Sequence, residues 1–147
     1  MIAVVAVVLV RATAAAEEHG TAAQAKLMLA KAVARYKVVG RTRALAEFTA
    51  EKPPFVVRDL YVMCVGADRA ITANGGFPGL VGGTADVLKD VGGRPLGQAI
   101  WDAASSRDEI SIRYEGMNPL SRKSELKTTV FQKVGDDMCG VGVYDQR

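Results

Sequence analysis

A single histidine, His19, stands in a chain of 147 residues, together with two cysteines and one tryptophan. That scarcity removes most enzyme sites from consideration. Ser-His-Asp and Cys-His sets both need a histidine held rigidly beside the nucleophile, and His19 falls in an N-terminal stretch read as a tail. Two cysteines, Cys64 and Cys139, with one histidine and no CxxCH run, argue against a zinc site or a covalently held haem. No metal or other cofactor is expected. The chain has neither GxxxxGK[ST] nor GxGxxG spacing, so the glycines at 75, 76, 79, 82 and 83 read as a loop of unusual backbone angles rather than a phosphate cradle. Asp136-Asp137 follows Gly135 and reads as a solvated turn pair rather than a catalytic carboxylate pair. Net charge is only +3 and the basic residues are scattered, without a stripe or interleaved aromatics, which speaks against nucleic acid as a partner.

No apolar run is long enough for a membrane-spanning helix, which needs about 20 residues. The longest run, Ile2 to Val10, is nine residues. Followed by Arg11 and by Ala14-Ala15-Ala16, it suits the hydrophobic core and small-residue cleavage site of an export leader over residues 1–16. One domain over 17–147, periplasmic or secreted, would remain, with no span in the mature chain. The other reading is a buried N-terminal strand. Export would allow Cys64 and Cys139 to bridge; otherwise they are two small buried hydrophobes.

What is present is a clear change of period along the chain. Ala22, Ala25, Leu29, Ala32, Val33, Tyr36 and Val39 recur at helical spacing, Thr21 and Gln24 have capping-box spacing, and Gly40 suits a helix end. A helix is predicted over 21–39 and a second over 42–50, stopped by Pro53-Pro54. Beyond that, strands are predicted over 60–65, 70–73, 109–115, 127–134 and 138–144, and one short helix over 96–105. In 109–115, Ile110, Ile112 and Tyr114 share one face, which turns Arg113 toward solvent. Helices gathered at one end and followed by mostly antiparallel strands indicate an α+β fold.

The order of four segments is more specific than any one of them. They are Val33-Ala34-Arg35-Tyr36 with Ala44 to Phe48; Asp59 to Met63; Phe77-Pro78-Gly79-Leu80-Val81-Gly82 with Gly93-Arg94-Pro95; and Tyr114 through Asn118-Pro119 to Lys127, closing with Gly140 to Tyr144. From about residue 25 to residue 144 the chain resembles the single Cache domains of bacterial extracytoplasmic sensors. The resemblance implies a PAS-like fold, with a long N-terminal helix packed on a central antiparallel sheet of about five strands. It implies a sensing role without catalysis, as in chemotaxis receptors, with a small molecule such as a small carboxylate bound between the sheet and a covering loop-helix segment. A membrane receptor or kinase would be the partner that carries the signal. The ligand-binding residues it implies are Tyr61, Asn74, Trp101, Tyr114, Lys127 and Thr129. Lys127 would be the countercharge, the other reading of it being a solvated lysine at a strand end. The chain departs from the family pattern at Asn74, Phe77, Gly116 and Val130, all around the expected pocket. That departure motivates the alternative of a structural or interaction module that has lost its ligand.

Overall fold

In the computed structural model, residues 19–145 are described; the leader expected over 1–16 lies outside them. Helix α1 (Ala22–Val39) begins where the sequence says it should. Thr21 Oγ1 accepts from the Gln24 backbone N–H at 3.1 Å and Gln24 Oε1 accepts from the Thr21 N–H at 2.9 Å, so two of the helix's free donors are satisfied at once. Gly40, at φ +84°, ends α1 and opens α2 (Arg41–Thr49).

The strands are β1 (Val56–Val57), β2 (Leu60–Gly66), β3 (Ile71–Asn74), β4 (Glu109–Met117), β5 (Ser124–Val134) and β6 (Asp137–Tyr144). They form one antiparallel sheet in the order β1-β2-β6-β5-β4, with β3 also paired to β2. The sixth strand, beyond the five expected, is β1, a two-residue element too short to leave a periodic signal. Helix α3 (Leu96–Ala104) lies in the connection from β3 to β4.

Because side chains alternate across a strand, the sheet carries two cores. One face packs against α1 and α2, with Ala25, Leu29, Ala32 and Phe48 against Leu60, Val62 and Val141. Each fully buried large apolar side chain there contributes about 1.5–3 kcal/mol. Cys64 and Cys139 are direct cross-strand partners on this face and form a disulfide. With a sequence separation of 75 between the two cysteines, the crosslink removes chain entropy from the unfolded state worth about 4 kcal/mol. The other face carries Tyr61, Met63, Tyr114, Phe131 and Tyr144, and is covered by α3 and the loop before it.

That covering segment is fastened at both edges of the sheet. Ile71 and Gly82–Gly83 exchange backbone hydrogen bonds at 2.8 and 2.9 Å on the β3 side, and the Val91 N–H donates to the Arg113 carbonyl at 3.0 Å on the β4 side. Asp86 holds its middle, pairing with Arg69 at 3.0 Å and accepting from the Gln98 N–H at the start of α3.

Asp137 differs from the expectation of a solvated turn residue. The turn is Gly135-Asp136; Asp137 is the first residue of β6 and is fully buried. Its carboxylate accepts from Tyr36 Oη at 2.6 Å, Arg41 Nε at 2.8 Å and Thr72 Oγ1 at 2.7 Å, tying α1, α2 and β3 to β6. His19 is likewise not loose: its Nδ1 lies 2.8 Å from Asp59 Oδ2, and the Gly20 N–H donates to Asp59 Oδ1 at 2.7 Å.

Burial alone would raise the Asp137 pKa, but the donors on Arg41, Tyr36 and Thr72 outweigh it and hold the carboxyl below its ordinary value. A depressed pKa contributes stability above the unfolded-state value, lost as pH falls through the folded-state value. Asp137→Asn is expected to cost about 3 kcal/mol at pH 7, with the difference from the parent shrinking as pH falls below the ordinary carboxylate range. Urea denaturation of both chains at pH 7 and pH 3 measures this, and an equal difference at the two pH values would contradict the hub.

Candidate functional site

The face of the sheet opposite α1 holds a lysine where no lysine is solvated. Lys127 sits on β5 with 2 % of its surface exposed. The solvated strand-end reading is therefore excluded. The backbone makes room for it in a definite way. A Cβ on Gly142 of β6 would lie 2.3 Å from Lys127 Cε, and one on Gly116 of β4 would lie 3.3 Å from Lys127 Cδ. Two glycines on the flanking strands leave the channel through which the side chain runs.

The ammonium ends among tyrosines. Lys127 Nζ donates to Tyr61 Oη at 3.2 Å and to Tyr144 Oη at 3.5 Å. It lies 4.4, 4.5 and 5.7 Å from the ring centroids of Tyr61, Tyr144 and Tyr114, within cation–π range of all three. Among the described residues no carboxylate pairs with it. Burial is the largest single influence and disfavours the charged form, but the phenol oxygens of Tyr114 and Tyr61 together outweigh it and hold the Lys127 pKa above its ordinary value. Burial pushes the Tyr114 and Tyr144 hydroxyls up, against the pull of the Lys127 charge at Tyr114 and with the help of Tyr61 at Tyr144, so both are neutral at physiological pH. The site is thus a buried cation surrounded by neutral dipoles.

The protons can be assigned by elimination. Tyr144 Oη donates to the Met117 carbonyl at 2.6 Å, which uses its one proton. Tyr61, 3.3 Å from Tyr144, is then the donor in that pair. Tyr114 Oη accepts from Thr129 Oγ1 at 3.3 Å, and no acceptor for its own proton is found among the described residues. An ammonium has three donors; Tyr61 and Tyr144 accept from it, and the Tyr114 hydroxyl is its third neighbour.

Next to this cluster is a cavity of about 190 Å³ under the covering loop. Tyr61, Asn74 and Tyr114 line it together with Gly116 and with apolar residues that include Met63, Phe77, Leu80 and Leu88. Gly76 lets the loop lie on Tyr61: a Cβ there would meet the ring at 2.7 Å. Phe77 meets the same ring edge-on, with centroids 6.2 Å apart. Lys127 stands behind the wall made by Tyr61 and Tyr114 rather than on the cavity surface.

Of the six residues singled out from sequence, the fold brings five together. Tyr61, Asn74 and Tyr114 are on the cavity wall, with Lys127 and Thr129 directly behind. Asn74 is occupied with the loop, its Oδ1 accepting from the Gly76 and Phe77 N–H groups at 3.1 and 2.8 Å. Trp101 is elsewhere. It sits at the edge of the α3 core with the Lys133 ammonium 6.0 Å from its ring, and its buried Nε1 has no partner among the described residues. Arg113 is exposed and paired to Asp145, as its alternation implied. Tyr144 escaped the sequence reading, although the alternation of β6 and its register opposite Lys127 carry the signal.

A second cavity of about 120 Å³ lies between α1 and the other face, walled by Ala25, Leu29, Val130, Val141 and Val143 among others. It has almost no polar group to orient a ligand, whereas binding sites combine apolar walls with a few placed polar groups.

The tyrosines favour the ammonium over the neutral amine, but an apolar residue of similar shape has no charge to desolvate at all and should serve the empty fold better. Lys127→Met is expected to raise stability by about 1–3 kcal/mol in ligand-free protein. A lower denaturation midpoint for the variant would mean that the tyrosines alone compensate the charge.

No protein-family model matches the chain, and no curated protein matches it. Solved structures do. The chain is similar to a methyl-accepting chemotaxis protein from Vibrio parahaemolyticus RIMD 2210633, at 17 % identity and TM-score 0.66 over 83 % of this chain and 86 % of that one. It is similar to a Cache chemosensory domain whose structure is described as the basis for carboxylic acid recognition, at 17 % identity and TM-score 0.61 over 82 % and 86 %. A third similarity, to the periplasmic sensor domain of a chemotaxis protein, has 16 % identity and TM-score 0.60 over 82 % and 88 %. The fold is the single Cache fold, α+β and PAS-like.

Proposed function

We propose that this Cache-fold chain is an extracytoplasmic sensor domain that binds a small organic acid and performs no chemistry on it. The observation that carries the reading is the buried Lys127 ammonium, set beside a cavity and lacking a carboxylate partner among the described residues. An isolated buried charge is costly, and a ligand carboxylate would supply the missing opposite charge. The free proton of Tyr114, on the cavity wall with the ammonium directly behind it, is the group to receive it. Tyr61 would exchange its bond to Tyr144 for one to the ligand, and Thr129 would hold the Tyr114 ring in place. The structural neighbour described as recognising carboxylic acids supports the same ligand class.

A second reading keeps the fold without a ligand, as an interaction module. One observation favours it: three tyrosine rings and two hydroxyls already surround the ammonium. The two readings part in a thermal unfolding screen with small carboxylates. A binder gains stability as the ligand concentration exceeds its Kd, about 2.7 kcal/mol at a hundredfold excess. The sensor reading expects such a gain for at least one acid in the parent chain and its loss in Lys127→Met. A flat response in the parent across aliphatic, keto and hydroxy acids would leave the interaction module.

Export belongs to the proposal, with residues 1–16 removed as a leader and a receptor or kinase as the signalling partner. No helix among the described residues is long and apolar enough to cross a membrane. Expression in a bacterium should yield periplasmic protein whose N-terminus lies near Glu17; retention of Ile2–Val10 on that protein would count against a cleaved leader.

A further inference from the structure

We infer that the outer face of α1 rests on an anionic lipid surface, as a helix lying in the interface rather than spanning it. α1 buries Ala25, Met28, Leu29, Ala32, Val33 and Tyr36 against the sheet. Along the opposite crest run Ala23, Leu27, Ala30, Ala34 and Val38, at spacings of three and four and all exposed. Leu27 is 63 % exposed and Val38 79 %, so neither is spent on the core of the fold. Lysines flank this apolar crest. The helical rotation puts Lys26 and Lys37 on one side of it and Lys31 on the other. All three are exposed, and among the described residues none has a carboxylate partner.

Charge is gathered on this layer. α1 has no acidic residue, and Glu47, the acid of α2, is taken up by Arg35 and Arg43. The stretch 22–49 therefore holds more positive charge than the whole chain's +3, and the remainder is net acidic. An apolar strip between lysines suits a lipid interface: the long stems lie along the apolar surface while the ammonium groups reach the headgroup phosphates. Pairing with a second copy would set lysine against lysine in either direction, because α1 has no acid to answer them. The crest is also convex and mostly alanine, so it offers a protein partner no pocket for an anchoring side chain. Headgroups mould to such a ridge. This face lies across the sheet from the Lys127 cluster, and the inference is independent of what the cavity there holds.

The test is co-sedimentation of the purified chain with vesicles of phosphatidylcholine, and of phosphatidylcholine mixed with phosphatidylglycerol. Binding to the anionic vesicles is expected to be tighter by about a hundredfold, at about fivefold for each of the three lysines, and to weaken as salt is raised. A triple variant, Lys26→Gln, Lys31→Gln and Lys37→Gln, should lose that preference. A second triple variant, Lys89→Gln, Lys123→Gln and Lys133→Gln, changes the net charge equally at exposed positions off the helical layer and should keep it. Leu27→Ser should weaken binding about tenfold with the salt dependence unchanged. The altered side chains are exposed, and an unchanged thermal midpoint checks that each variant folds. Every chain compared carries the same N-terminus, so the differences report α1 and not Ile2–Val10. No binding to either vesicle, equal binding to both, or equal loss in the two triple variants would overturn the inference. So would a concentration-dependent dimer, seen by analytical ultracentrifugation, that Leu27→Ser dissolves; that result would give the crest to a second copy.

Discussion

A cation buried with no opposite charge beside it among the described residues sets the terms for half of this structure. Lys127 can occupy β5 only because the flanking strands present glycines where its stem passes and tyrosines where it ends. Those tyrosines come from three other strands, so the polar cluster fixes the pairing register of β2, β4, β5 and β6 as firmly as the apolar alternation does. A one-residue slip of any of them would carry its tyrosine to the opposite face. The covering loop in turn lies flat because Gly76 allows it to rest on one of the same rings.

The two faces of the sheet divide the work. The α1 face is apolar and crosslinked, and the buried carboxylate of Asp137 at its edge is served by donors from two helices and a strand. The opposite face leaves donor capacity unspent and a volume unfilled. Saturated hydrogen bonding on one side and unsaturated hydrogen bonding on the other is the physical difference between the two faces. The comparisons, all at 16 or 17 % identity, show that this support survives when most of the side chains have changed.

Much of the support was legible in the sequence because its signals are local. Thr21 with Gln24 and then Gly40 bracket α1 to within a residue, and the alternation from Ile110 to Tyr114 gives β4 its inward face. The site was legible in part. Alternation and the family resemblance bring Tyr61, Tyr114, Lys127 and Thr129 together, but Trp101 depends on the rotation of a nine-residue helix, which its flanking sequence does not set. Asp137 was read as a turn residue because its partners Tyr36 and Arg41 lie 101 and 96 positions away. The isolation of Lys127 was invisible for a similar reason. Glu125 is near in sequence, yet its carboxylate accepts from Asn118 and Ser121, and only the folded chain shows that no acid among the described residues reaches the ammonium.

The bridge between Cys64 and Cys139 has a topological consequence. Asn74, the covering loop, α3, Tyr114, Lys127 and Thr129 all lie between those two positions in sequence. Nearly everything that shapes the cavity therefore belongs to one covalent ring, whose two tails are the helical hairpin before it and the end of β6 after it. A protease that cuts the exposed stretch around Val87 and Val91 would open the ring without dividing the molecule. Both pieces would stay tethered to β2 and β6, and only a reductant acting after the cut would let them part.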